Sequence, residues 1–263
     1  GPGGWSGLGI RGVMGIPWFL TAPQWGFYDV LFSKTNKDQK LKPPGKREFS
    51  LPQEFGSYVM ENILFKISFP AEFHAQTAAE AAVKLHPEVR DRLEDIKTIV
   101  ITTHESAIRI ISKVGKLSNA ADRDHCLQYM TAVPLIFGDL AAEHYEDDFH
   151  EANPIIDRLR EKMEIVEEER YTQEYLEPEK RSIANAVQVF FKDGSSTEKV
   201  AVEYPLGHRR RRKEGIPLLE KKFRANLQTR FPIARCNQIL GLFKDPDLLN
   251  RTPVDEFSKL FMI

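Results

Sequence analysis

The sequence predicts an α+β fold: an antiparallel or mixed sheet with flanking helices, followed by a helical C-terminal segment. Three observations carry this. Ile63, Phe65, Ile67 and Phe69 alternate with Asn62, Leu64, Lys66 and Ser68, the period of a strand with one apolar face. Residues 96–103 are rich in β-branched side chains and read as a second, buried strand. Val187, Val189 and Phe191, then Asp193-Gly194, then Val200, Val202 and Tyr204, form a hairpin pattern whose loop holds the glycine that such turns favour.

The elements follow in order. Residues 13–32 are apolar and aromatic and must bury themselves against something, so we expect a partner region outside this sequence. Residues 33–53 are rich in lysine and proline, with the break Pro43-Pro44-Gly45, and read as a loop. Pro70 ends the first strand. A helix is predicted over 72–85 from Phe73, Thr77, Ala81 and Leu85 at four-residue spacing. Asn119, with Asp122 three residues on, starts another that runs through Tyr129 toward Gly138, and Pro134 should kink or end it. A short helix is expected over 154–161. From Ile216 the chain is helical in two or three pieces, broken near Pro232 and Pro253. The expected division is an N-terminal segment, 1–53, an α+β domain, 54–206, and a helical segment, 207–263.

Composition removes several classes of function. Of 263 residues, 41% are hydrophobic and 29% charged, which is ordinary for a globular protein and too apolar for a disordered one. A net charge of −1 provides no overall attraction to nucleic acid or to an anionic membrane. There is no apolar run of transmembrane length, and the start lacks the basic and apolar regions of a signal peptide. Neither a membrane nor a nucleic-acid partner is expected. Cys126 and Cys236 are too few for a disulfide framework, which favours a reducing compartment.

Two segments carry potential chemistry. Lys66 and His74 flank a strand-to-helix turn, where unpaired helical N–H groups attract carboxylates, lysine offers a point charge and histidine can move protons near neutral pH. His125 and Tyr129 are four apart, on one face if the segment is helical, and a tyrosine can donate a proton to a departing hydroxide or hold a carboxylate oxygen. By pattern alone these are also what surface residues and a half-buried core tyrosine look like. The run His208-Arg209-Arg210-Arg211-Arg212-Lys213 has three readings: internal or solvated pairing, contact with an anionic substrate or interface, and, weakest because acidic stretches balance it, nucleic acid. His86, His104, His144 and His150 form no spaced metal set.

Several longer strings add to this: Trp25 through Phe32, Gly56 through Asn62, Phe65 through Thr77, Ala121 through Tyr129, Glu179 through Ile183, and Gly207 through Arg212. On these the chain resembles the MmgE/PrpD family over nearly all of its length after residue 13, and it looks like the C-terminal half: the α+β lid, then helices that return to a large all-helical domain. The resemblance implies dehydration of a 2-methylcitrate-type tricarboxylic acid without metal, iron–sulfur cluster or other cofactor. It implies Tyr129 and His74 as catalytic residues, with Lys66 toward the substrate; His125 and Arg209, Arg210 and Arg211 are added as expected substrate contacts on pattern and charge. It also implies a homo-oligomer, commonly a dimer. The insertion at 33–53 tilts the compartment toward mitochondria, with the cytoplasm as the alternative. A cis-aconitate decarboxylase-like relative is a second reading, which the string Glu72-Phe73-His74 disfavours. A truncated homologue acting as an interaction module is a third.

Overall fold

The β-branched run at 96–103 forms the spine of a four-stranded sheet in the computed structural model, which describes residues 63–262. The readings of segments 13–32 and 33–53 lie outside the described residues. The strands are β1 (Ile96–Thr103), β2 (Met163–Glu167), β3 (Asn185–Phe191) and β4 (Val200–Val202), in the order β2-β1-β3-β4. β1 runs parallel to β2, with Ile101 opposite Ile165, and antiparallel to β3, with Ile101 opposite Val187. β3 and β4 form the antiparallel hairpin that the sequence predicts, with Val187 opposite Val200. Gly194, at φ 88, makes its tight turn, a backbone conformation in which glycine carries no steric cost.

Eleven α-helices occur among the described residues. They are α1 (Gln76–Val89), α2 (Glu105–Ile111), α3 (Ala120–Arg123), α4 (Leu127–Phe137), α5 (Asp147–Ala152), α6 (Ile155–Arg160), α7 (Glu169–Leu176), α8 (Arg212–Gln228), α9 (Ile233–Lys244), α10 (Pro246–Arg251) and α11 (Val254–Lys259). The packing centre is α1, which contacts α4 as well as β3 and β4. Its inner side is built of Ala78, Ala79, Ala81 and Ala82, all fully buried, so backbones approach closely and the larger Ile99, Ile101, Met130 and Leu135 fill the layers around it. Each such aliphatic side chain contributes about 1.5–3 kcal/mol on burial. A second, smaller core of Leu227, Cys236, Ile239 and Leu240 joins the C-terminal helices.

Several expectations are corrected. Residues 63–69 are not a strand. The alternation survives in part, with Ile67 and Phe69 buried while Lys66 and Ser68 are exposed, but among the described residues no strand pairs with the segment. Its backbone is held instead by Phe65 N–H donating to the Gly207 carbonyl at 3.1 Å, by Arg212 donating to the Ile63 carbonyl and by Lys222 donating to the Lys66 carbonyl. The helix started by Asn119, whose side chain does accept from Asp122 N–H, stops at Arg123, and a separate helix begins at Leu127. Pro134 does not end that second helix, which reaches Phe137 and closes on left-handed Gly138. The first predicted helix opens as a 3₁₀ turn over Phe73–Ala75 before α1. The last helical region starts at Arg212, inside the basic run, and has four pieces.

Gly207 is required where it stands: a side chain there would overlap the carbonyl of Phe65. Gly207→Ala is therefore expected to push the 63–69 segment off its seat and to cost about 1–3 kcal/mol. Urea unfolding of the variant measures this, and an unchanged midpoint would contradict the packing.

Candidate active site

The turn that follows Pro70 is closed by its own side chains. Glu72 caps the 3₁₀ turn, accepting from His74 N–H at 2.7 Å. Gln76, the first residue of α1, donates its amide N–H groups to the carbonyls of Phe69 and Ala71, both at 2.8 Å. From β3, Asn185 donates to the His74 carbonyl and to Thr77 Oγ1, both at 2.7 Å. The backbone around His74 is thus fixed from two sides.

Both carboxylate oxygens of Glu72 face His74 Nδ1, at 2.8 and 2.9 Å. A carboxylate only accepts, so Nδ1 carries the proton and Nε2 keeps its lone pair in the neutral ring. Nε2 lies 3.1 Å from the hydroxyl of Tyr175, on α7. Burial acts to raise the pKa of Glu72, but the hydrogen bonds it accepts from the His74 ring and backbone N–H hold it below its ordinary value. Tyr175 is pushed up, first by burial and then by the Glu72 charge, so it retains its proton. His104 completes the cluster. Its ring stacks on Tyr175 with centroids 4.6 Å apart and lies 5.2 Å from the ring of His74. It is fully buried, and among the described residues neither ring nitrogen has a hydrogen-bond partner. Burial, reinforced by His74, lowers its pKa to about 4 and keeps it neutral.

This line of groups opens on a cavity of about 220 Å³ lined by Leu64, Phe73, His74, Tyr175, Arg181 and Ile183. Lys66 stands at its edge, exposed, with Nζ 5.2 Å from the centroid of the Phe73 ring. Two cations beside a Glu–His–Tyr line, over apolar walls, make a place where a carboxylate can be held while a proton moves. Among the described residues no group of three or more His, Cys, Asp or Glu is arranged to hold a metal ion.

The other predicted residues are distributed differently. His125 is not on a helix. It sits in the turn between α3 and α4, half-exposed, with Nδ1 2.6 Å from Asp124, so it does not share a helix face with Tyr129. Its charge still reaches Glu72. Tyr129 is fully buried, and its hydroxyl donates to the His144 carbonyl at 2.6 Å. Burial pushes its pKa up to about 12, and among the described residues no hydrogen bond or ring contact joins it to His74. Arg211 forms a two-oxygen pair with Glu80 and bonds Glu214, and Arg210 donates to the Glu179 carbonyl. The 3₁₀ turn Arg209–Arg211 leads directly into α8. Glu72, His104, Tyr175 and Arg181 were absent from the sequence-based site. Glu72 was the readable one, since a carboxylate two residues before a histidine at a helix start is a cap that can also reach the ring.

The cluster fixes a pH dependence. His104 and the buried His208 both have pKa values lowered to about 4, the second by burial and then by Arg209, Arg210 and Arg212. An unfolded histidine titrates near ~6.5, so between the two values the unfolded chain binds more protons. Stability from this source is full above the unfolded pKa and is lost as pH falls toward 4, by at most about 1.4 kcal/mol per pH unit for each histidine. The urea midpoint is expected to drop between pH 7 and pH 5. His104→Phe removes two unsatisfied buried nitrogens, so it should raise stability at pH 7 by about 1–3 kcal/mol and flatten the slope. An unaltered slope in that variant would contradict the assignment.

Comparison with known proteins agrees with these elements. The MmgE/PrpD C-terminal domain profile matches residues 69–245. The chain is 49% identical over 255 residues to "2-methylcitrate dehydratase, mitochondrial" of Yarrowia lipolytica, covering 96% of this chain and 46% of that protein. It is 52% identical to "2-methylcitrate dehydratase" of Cupriavidus necator and 49% identical to that of Escherichia coli K12, each over 96% of this chain and 50% of the relative. The chain spans about half the length of the curated relatives it matches. The profile covers most of the described fold, including the turn that carries His74 and the helix that carries Tyr175, and the chain belongs to the MmgE/PrpD family.

Proposed function

We propose that this chain provides the proton-handling part of a hydro-lyase site that converts 2-methylcitrate to 2-methylaconitate and water. The observation that carries the reading is the Glu72–His74–Tyr175 line ending on an open cavity beside Lys66. The names of the relatives supply the substrate class. Elimination needs a base for the proton beside a carboxylate and an acid for the leaving hydroxide. His74 Nε2, unprotonated because Glu72 holds the proton on Nδ1, takes the proton from carbon. The electron pair of that C–H bond becomes the double bond as the C–O bond breaks. The departing hydroxide takes the Tyr175 proton, and the tyrosine recovers it from Nε2–H across the 3.1 Å contact, which returns both groups to their starting state.

Lys66 is assigned to a substrate carboxylate, where a positive charge offsets the negative charge that builds toward the transition state. His125 is assigned to the rim of the site through its effect on Glu72. Arg210 and Arg211 serve by holding the loop that leads into α8, on the partners named above. Tyr129 is given a supporting role, because its hydroxyl is already donated to a backbone carbonyl. We also propose a domain division at about residue 207, supported by the separate second core, and assembly as a homodimer. We also propose a mitochondrial setting, supported by the name of the Yarrowia relative.

Absorbance of the enoate product tests the reading. In an enzyme that turns over 2-methylcitrate, His74→Ala and Tyr175→Phe are each expected to lower turnover by ~10²-fold or more. Tyr129→Phe should chiefly cost stability, about 1 kcal/mol, through the lost hydrogen bond. Unchanged turnover in His74→Ala would remove the line from the reaction. A large loss of turnover in a fully folded Tyr129→Phe would return that residue to the chemistry.

A further inference from the structure

Arg181 combines three properties that no other residue of the site shares. It lines the cavity with His74 and Tyr175. Its guanidinium has no hydrogen-bond or carboxylate partner among the described residues. Neighbouring cations are engaged: Arg170 and Lys180 both bind Glu174, and Arg211 binds Glu80 and Glu214. Glu177 and Glu179 stand close by in the chain, yet neither takes Arg181. Third, Arg181 has φ 47 and is the one non-glycine with positive φ among the described residues.

The backbone enforces that conformation. Arg181 N–H donates to the Glu177 carbonyl at 2.9 Å, Ser182 N–H to the Glu174 carbonyl at 3.3 Å, and Ile183 N–H to the Glu203 carbonyl at 3.1 Å. Glycine would adopt this geometry without steric cost, whereas arginine holds it at a cost. A planar guanidinium with its donors free is the side chain best matched to a carboxylate. Its charge also reaches Tyr175, where it opposes the effects that raise that hydroxyl.

We propose that Arg181 is the specificity residue of this site, binding a carboxylate of the tricarboxylic acid by two parallel hydrogen bonds so that tricarboxylates are selected over dicarboxylates. This rests on the dehydratase reading and adds to it the group that distinguishes the substrate. Lys66, with one compact charge, holds a second carboxylate, and His74 works between them.

The backbone strain makes the test selective, because Arg181→Gly removes the guanidinium and relaxes the turn together. The full chain is used, with tricarballylate and glutarate as calorimetric probes and 2-methylcitrate as substrate. Wild type is expected to bind tricarballylate at least about tenfold more tightly than glutarate, as a charge-assisted pair provides. Arg181→Gly should bind the two alike, with a melting temperature equal to or above wild type. Where turnover is measured, KM should rise about tenfold or more, and Arg181→Lys should recover part of it. Retained discrimination in Arg181→Gly overturns the inference and leaves the dehydratase reading intact. A lowered melting temperature in Arg181→Gly makes the side chain structural and also overturns it. A wild-type chain that binds neither probe and does not turn over 2-methylcitrate overturns the dehydratase reading, and the inference with it.

Discussion

Two buried amides hold the site together. Gln76 gives both amide hydrogens to the carbonyls of Phe69 and Ala71, and Asn185 gives its own to the His74 carbonyl and to Thr77 Oγ1, whose hydroxyl in turn donates to the Ile183 carbonyl at 2.6 Å. These contacts join an extended segment without strand neighbours, a 3₁₀ turn, the first turn of α1 and the first residue of β3. Each donor is buried, so each bond lies in a low-dielectric interior where losing it leaves a polar group unsatisfied. Proton transfer tolerates errors well below an ångström in such a line, and loops by themselves do not hold that tolerance. Here the turn behaves as part of the helix and sheet layers because the amides stitch it to both.

The same economy governs charge. Arg211 is spent on Glu80 and Glu214, Lys180 on Glu174, and Arg123 on Asp147 and the Tyr145 carbonyl. These pairs set loop positions and neutralise each other, so they leave little field at the cavity. The field there comes from Glu72, which fixes the tautomer of His74, and from the cations at the rim. His104 adds a neutral wall. Stacked on Tyr175 and held uncharged by burial, it keeps that ring in place without competing for its proton.

Much of the fold was legible along the chain. The β-branched run at 96–103 became β1, the Asn119 cap is made as expected, and the hairpin lies where its glycine turn placed it. These features are local, so local pattern finds them. β2 was missed because it is a short edge strand with little burial, whose two glutamates, Glu164 and Glu167, break the alternation of a strand. The 63–69 segment was misread because period-two alternation reports one buried side, and a single extended segment held by Gly207 and basic side chains satisfies that as well as a strand does. At the site, Lys66 and His74 were visible because a helix start signals itself within a few residues. Tyr175 was not, since it meets His74 across 101 positions and its helix, α7, shows no sequence mark of function. The pairing of His125 with Tyr129 failed for a related reason. One helix was assumed where the chain turns at Asp124 and starts again at Leu127, and that break moves His125 to the surface and Tyr129 to the interior.

The proposed relay depends on where the proton of His74 resides, and nitrogen NMR of the full chain with ¹⁵N-histidine reads this directly. His74 is assigned by comparison with the spectrum of a His74→Gln variant. The expected result is a neutral ring protonated on Nδ1, with the bond to Glu72 visible as a downfield proton, and a shift toward the ordinary Nε2–H form when Glu72 is replaced by glutamine. A wild-type ring protonated on Nε2, indifferent to Glu72, would leave no lone pair facing Tyr175 and would contradict the proposed relay.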